Sequence, residues 1–275
     1  MHSNFGWTGE HLPLIGQGTW TLEQDPHEQA VEALRLGINL GMTLIDTAEM
    51  YGNGRAEEII GEAIHGRRTG LFIVSKVLPS NATYEGTRRA CERSLKRLRI
   101  DQLDLYLLHW PGSHPIAETM RGLESLVRDG ATRYIGVSNF DTDDLKRAQR
   151  ALKNERMACN QVLYHLGDRG IERRLIPYCK EQEIAVMGYS PFGHRSFPKS
   201  GRVLSDIAKR NGKTPRQVVL NFLTRDGVFA IPKSGKPDHV SENAGGQGWR
   251  LPEEDIEAIN NAFPAPDHDA PLGMI

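Results

Sequence analysis

Over 275 residues, eight short apolar runs alternate with helical patterns, and that alternation predicts an α/β fold, a (β/α)8 TIM barrel. Two further observations agree with it. The runs are continuously apolar rather than strictly alternating, as parallel strands under helices are. The length fits one barrel around one core, so residues 1–275 are expected to form a single domain. No linker, low-complexity block or sequence repeat divides the chain.

In chain order, residues 1–11 carry glycine-containing turns and predict a small β-hairpin ahead of the barrel. The eight strand runs follow as LPLIGQ, TLIDTA, LFIVSKV, LDLYLLH, YIGVSNF, ACNQVLY, IAVMGYS and VFAIPKS. Between them, IAETMRGLESLVRDG places Ile116, Met120, Leu123 and Val127 on one helical face and stops at Gly130. Thr214 and Pro215 open another helix, with Gln217 spaced for a capping box. LPEEDIEAINNAF, followed by a proline-rich tail, predicts an extra C-terminal helix.

Composition excludes several function classes. Lys plus Arg total 34 against 35 for Asp plus Glu, so no net field favours nucleic acid or an anionic membrane. Three cysteines without paired spacing fit a reducing compartment, and the opening MHSNFGWTGEHLP has no signal-peptide pattern; a cytoplasmic monomer is expected. The basic run Arg88, Arg89, Arg93, Lys96, Arg97 and Arg99 reads as the solvated face of a helix whose Ala90, Leu95 and Leu98 face the barrel. The histidines and acids of HWPGSH and DHD lack the spacing of a metal site, so no metal is expected.

A barrel of this kind carries its chemistry at the C-terminal ends of its strands. The polar residues closing the runs are Asp46, Lys76, His109, Ser138, Asn139, Gln161, Tyr189, Ser190, Lys233 and Ser234. Asp46, Lys76 and His109 are spaced 30 and 33 residues apart, about one strand–helix unit each, and Tyr51 hangs over them in the glycine-rich loop YGNG. Asp46 is expected to keep Lys76 charged, and a charged lysine beside a phenol is expected to lower the phenol's pKa from about 10. Tyr51 then becomes a proton donor to a developing alkoxide, and a neutral His109 orients the same carbonyl oxygen. The constellation suits carbonyl reduction. If the donor is a hydride, Ser138, Asn139 and Gln161 can bind the amide of a nicotinamide and Tyr189 can stack on its ring. Trp20 and Trp110, each just past a strand end, are expected to line the substrate pocket with Tyr51 and His109.

At these residues the sequence resembles the aldo-keto reductases over nearly its whole length. The likeness rests on GQGTW at 16–20, IDTAEMYGNGRAEEIIGEAI at 45–64, SKV at 75–77, LDLYLLHWP at 103–111, IGVSNF at 135–140, NQVLYH at 160–165, GYSPFG at 188–193 and IPKS at 231–234. The resemblance implies NADPH-dependent reduction of aldehydes and ketones, with Asp46, Tyr51, Lys76 and His109 as catalytic tetrad and Tyr51 as acid. It implies cofactor binding by Gly18, Thr19, Trp20 and Asp46, and by Ser138, Asn139 and Gln161 at the carboxamide. Tyr189, Ser190, Pro191, Phe192 and Ile231 extend that set. Lys233, Ser234, His239, Glu242 and Asn243 fall at the adenosine end.

Three positions depart from the family pattern. KSGKPDH places Lys236 and His239 where the family usually carries threonine and arginine. Histidine lacks the guanidinium fork and is neutral above about pH 6.5, which weakens selection for a 2′-phosphate and leaves NADH as the alternative donor; Lys233 and Lys236 can compensate. Leu78 stands where an aromatic residue is frequent, and the short stretch after the last helix predicts a more open pocket wall. Within the family the chain is similar to bacterial reductases of small 2-oxoaldehydes such as methylglyoxal, and of 2,5-diketogluconate.

Other motifs lead elsewhere. GQGTWT lacks the third glycine of a Rossmann phosphate loop, and no tyrosine is followed four residues later by lysine as in short-chain dehydrogenases. A lysine on a barrel strand also admits Schiff-base chemistry, so a lyase or aldolase using Lys76 is one alternative, against which Asp46 argues by holding the ammonium. A non-catalytic NADP-binding sensor is the other.

Overall fold

A computed structural model of the protein describes residues 2–193, 197 and 202–275. Strands β1 (His2–Asn4) and β2 (His11–Pro13) pair antiparallel as the expected hairpin. The following strands are β3 (Gln17–Gly18), β4 (Leu44–Asp46), β5 (Phe72–Val77), β6 (Leu103–Leu108), β7 (Thr132–Ser138), β8 (Met157–Leu163), β9 (Ala185–Tyr189) and β10 (Phe229–Ile231). They form one eight-stranded sheet in sequence order, every adjacent pair parallel. Parallel bridges from Ile15 to Ala230 and from Gly18 to Lys233 join its first and last strands into a barrel.

Around the barrel run α1 (His27–Asn39), α2 (Arg55–Ala63), α3 (Tyr84–Leu98), α4 (Ile116–Arg128), α5 (Thr142–Ala151), α6 (Leu175–Glu181), α7 (Val203–Arg210), α8 (Pro215–Leu223), α9 (Pro237–Ala244) and α10 (Glu253–Ala262). The capping box at the start of α8 forms: Thr214 Oγ1 accepts from the Gln217 amide at 3.3 Å and Gln217 Oε1 accepts from the Thr214 amide at 3.0 Å. The chain leaves α4 through Gly130 at φ 76°, where a glycine costs least. The helix expected near the C-terminus is α10.

Two expectations need correction. LPLIGQ does not make one strand: Leu12 and Pro13 belong to β2, and the barrel strand is reduced to Gln17–Gly18. Two ladders draw on this segment, since Leu12 and Pro13 pair with the hairpin while Leu14 accepts from Ala230 at 2.8 Å and Gly16 donates back to it at 2.9 Å. The basic face of α3 is also not simply solvated. Arg88 reaches Asp129, Arg93 reaches Glu49 and Arg97 reaches the fully buried Glu57, so three of its cations fasten α3 to neighbouring segments.

The core explains why the polar residues converge. Leu44, Phe72, Val74, Leu105, Leu107 and Met187 belong to one cluster inside the barrel, whereas Ile45, Ile73, Tyr106, Leu108 and Val186 pack outside it against the helices. Side chains alternate across a strand, so extending the inner series by two residues reaches Asp46 on β4, Lys76 on β5, His109 after β6 and Tyr189 on β9. On these four strands the inner face is apolar until its last position, which is polar and emerges at one rim.

Candidate active site

At that rim the Lys76 ammonium is wholly buried and donates to three acceptors: Asp46 Oδ2 at 2.8 Å, the Thr47 carbonyl at 2.8 Å and Tyr51 Oη at 3.3 Å. Gln161 Nε2 donates to the other Asp46 oxygen at 2.7 Å, so strands β4, β5 and β8 share one network. Tyr51 enters from the loop after β4. Its tight turn needs left-handed backbone at Gly52 (φ 56°), Asn53 (φ 54°) and Gly54 (φ 91°), and a Cβ at Gly52 or Gly54 would stand 2.5 Å from Glu23 or 2.4 Å from Arg97. The motif YGNG is thus the geometry that lowers the phenol onto the lysine. The His109 ring stands edge-on to Tyr51, centroids 5.7 Å apart.

The electrostatics differ from the expectation for Tyr51. Burial, reinforced by the Asp46 carboxylate, pushes the phenol well above its ordinary value rather than below it. The ring is nearly all out of water, and the charge of Lys76 is already matched by Asp46, so the phenol faces a neutral pair instead of a free cation. Burial also raises Asp46 and lowers Lys76, each opposed by the other's charge. For His109, burial and then Lys76 lower the imidazole to about 2, which leaves the ring neutral at working pH with one N–H to donate.

Above this floor opens a cavity of about 560 Å³. Its wall holds the sequence-predicted Gly18, Thr19, Trp20, Asp46, Tyr51, His109 and Trp110. Ser138, Asn139, Gln161, Tyr189, Ser190, Pro191, Phe192, Ile231 and Lys233 line it too. Lys76 lies beneath the wall, not in it. Ser234, His239, Glu242 and Asn243 stand outside the cavity on the loop after β10 and on α9, with Asn243 buried and His239 exposed. Asn139 is fully engaged, donating to the His109 carbonyl at 3.0 Å and Ser138 Oγ at 3.2 Å and accepting from Tyr189 Oη at 2.8 Å. Asn139 (φ 61°), Ser190 (φ 51°) and Thr21 (φ 64°) are left-handed non-glycine residues on the cavity wall, the kind of backbone strain that gathers at functional sites.

Sequence reasoning missed several participants. The Thr47 carbonyl is a backbone group and leaves no residue signature. Met50 sits one position before Tyr51 and could have been found by loop proximity. Met274 and Ile275 also line the cavity, so the short tail supplies a wall where an open one was expected.

The residues present fit a dinucleotide's nicotinamide end. The cavity size suits such a ligand, Ser138 and Gln161 present polar groups beside the Tyr189 ring, and His109 Nδ1 is buried without a hydrogen-bond partner among the described residues. A barrel whose carboxyl rim carries an Asp–Lys–Tyr network and a neutral histidine beside such a cavity defines a carbonyl-handling oxidoreductase. The sequence model of the aldo/keto reductase family matches residues 14–263. The chain belongs to that family and is an oxidoreductase. It is 43% identical over 271 residues to the methylglyoxal reductase of Escherichia coli, covering 96% of this chain and 95% of that one. It is 38% identical to the glyoxal reductase of Bacillus subtilis, covering 92% and 89%. An aldo/keto reductase from Klebsiella pneumoniae, solved in complex with NADP and acetate, superposes with a TM-score of 0.92 at 40% identity, covering 98% of each chain.

Proposed function

We propose that the whole chain acts as one catalytic domain reducing small aldehydes and ketones, 2-oxoaldehydes such as methylglyoxal among them, to alcohols with NADPH. The observation that carries this reading is the buried Lys76 ammonium, shared between Asp46 and Tyr51 beneath a cavity that His109 and two tryptophans line. When bound, the nicotinamide supplies a hydride. The chain's own groups do the rest.

His109, kept neutral, donates a hydrogen bond to the carbonyl oxygen and orients it without adding a competing cation. Tyr51 holds its proton throughout the working pH range because burial raises the phenol. A developing alkoxide is more basic still, so it takes that proton, and Lys76 at 3.3 Å stabilises the phenolate left behind. Ser138 and Gln161 would hold the carboxamide of a bound nicotinamide and Tyr189 its ring. Trp20, Trp110, Met50 and the tail residues exclude water around a substrate. Relatives named methylglyoxal reductase and glyoxal reductase support a compact 2-oxoaldehyde as substrate. Three free and buried cysteines suit a reducing cytoplasm, and we read the chain as active as a monomer.

The lyase reading finds no support in the geometry. A Schiff base needs a lone pair on Lys76, whereas all three of its N–H groups have acceptors and the nitrogen is out of reach of the cavity.

Replacing Tyr51 by Phe tests the proposal. Turnover of methylglyoxal, followed by nicotinamide absorbance, should fall at least about 100-fold while calorimetry shows NADP binding unchanged. Near-normal turnover would remove Tyr51 from its role, and retained binding without turnover of any aldehyde by the unmodified protein would favour a sensor.

A further inference from the structure

Lys233 closes the last barrel run on the cavity wall, and we read it as facing the phosphate-bearing end of the cofactor, yet the structure does not leave it free. Its Nζ lies 2.5 Å from Asp25 Oδ2, with the two side chains 30% and 20% exposed. Lys233 lines the cavity and Asp25 does not, so the carboxylate sits behind the lysine as seen from a ligand.

The contact is held by the neighbouring segments on both sides. Gln29 Nε2 in the first turn of α1 donates to the Gly235 carbonyl at 2.7 Å, a second tie to the segment after β10. A Cβ at position 235 would stand 2.1 Å from Asp25 Oδ2 and 2.9 Å from Asp25 Cβ, so glycine there is what lets the carboxylate approach. The nearby position 239 carries an exposed imidazole in place of a guanidinium, and Lys236 is exposed.

We propose that Asp25 is a specificity-determining residue that acts through Lys233: it competes with the 2′-phosphate of NADPH for the ammonium and so keeps selectivity for NADPH over NADH low. The inference rests on the reading that Lys233 meets that phosphate. A 2′-phosphate bears charge that NADH lacks, so a carboxylate on Lys233 penalises NADPH and leaves NADH nearly untouched. Selectivity is a difference of affinities, and Asp25 is its repulsive element.

The test compares binding of adenosine 2′,5′-bisphosphate and adenosine 5′-monophosphate by calorimetry to the unmodified protein, Asp25→Asn, Asp25→Glu and Lys233→Met, with NADPH and NADH as full-length checks. Asp25→Asn should tighten the bisphosphate about 5-fold, the size expected of one partly screened ion pair, and leave the monophosphate unchanged. The gain should shrink in high salt, and Asp25→Glu should keep the original ratio. A merely structural role would weaken both ligands together. If Asp25→Asn leaves the bisphosphate unchanged or weakens it while Lys233→Met also weakens it, Asp25 is no competitor and the inference is overturned. If Lys233→Met has no effect on the bisphosphate, the underlying assignment of Lys233 is what fails, and the inference falls with it.

Discussion

A neutral imidazole at the floor of the site has a consequence for stability as well as for chemistry. His109 is lowered to about 2 in the folded protein, and in the unfolded chain it titrates near its ordinary value of 6.5. Between those values the unfolded chain binds a proton that the folded one refuses, so stability is full above pH 6.5 and falls as the pH drops, by about 1.4 kcal/mol per unit. Replacing His109 by Gln, an uncharged donor of similar reach, should reduce the stability lost between pH 7 and pH 5 by about 2 kcal/mol, measured by urea unfolding at both values. An unchanged difference would mean that the ring protonates in the folded state. In the unmodified enzyme, kcat for reduction should show no inflection near pH 6.5. At this scale Asp46, Lys76 and His109 were legible because each is the polar end of an apolar run, and Tyr51 because it follows one in a glycine-rich turn. The direction of the Tyr51 shift was not, because it depends on burial and on Asp46 cancelling the lysine, and neither can be read from residue types.

The turn that carries Tyr51 is held by an element it does not touch in sequence. Glu57 on α2 is fully buried and accepts from Ser75 Oγ of β5 and from Arg97 Nε of α3, each at 2.6 Å. The Arg97 stem passes over Gly54, so α3 clamps the YGNG turn from outside. Removing Glu57 leaves Arg97, only 19% exposed, without its carboxylate. Glu57→Ala should therefore destabilise by about 3 kcal/mol in urea unfolding, the lower end for breaking a buried pair because Arg97 retains some water. A loss below about 1 kcal/mol would show the pair to behave like a surface bridge. The helices themselves were readable from periodicity and caps, as Thr214 and Gln217 illustrate. The solvated-face reading of α3 failed at Arg97 because a cation's partner lies 40 residues away on another helix, and charge patterning along one helix is blind to it.

The barrel as a whole separates what holds it together from what it does. Its bottom is stoppered by the hairpin: Phe5 is fully buried between Phe72 and Phe229, with ring centroids 5.0 Å from each, at the first residues of β5 and β10. Trp7 donates to the Met157 carbonyl at 2.8 Å where β8 begins. The Asp46, Lys76 and His109 side chains sit at the opposite ends of their strands. Eight strands and their shared rim could be inferred from spacing, whereas the hairpin's role as a plug and the tail's place on the cavity wall depend on contacts between the ends of the chain and its middle. Phe5→Ala removes a ring that touches two strands inside a packed interior, so it should cost about 3 to 5 kcal/mol, seen as a lower denaturation midpoint. The same variant, assayed at a temperature where it remains folded, should keep kcat/KM for methylglyoxal, because no group of the rim network contacts the plug. A drop of more than about 10-fold, or 1.4 kcal/mol in transition-state stabilisation, would show that packing at the bottom sets the geometry at the top. The two ends of the barrel could then no longer be treated as independent.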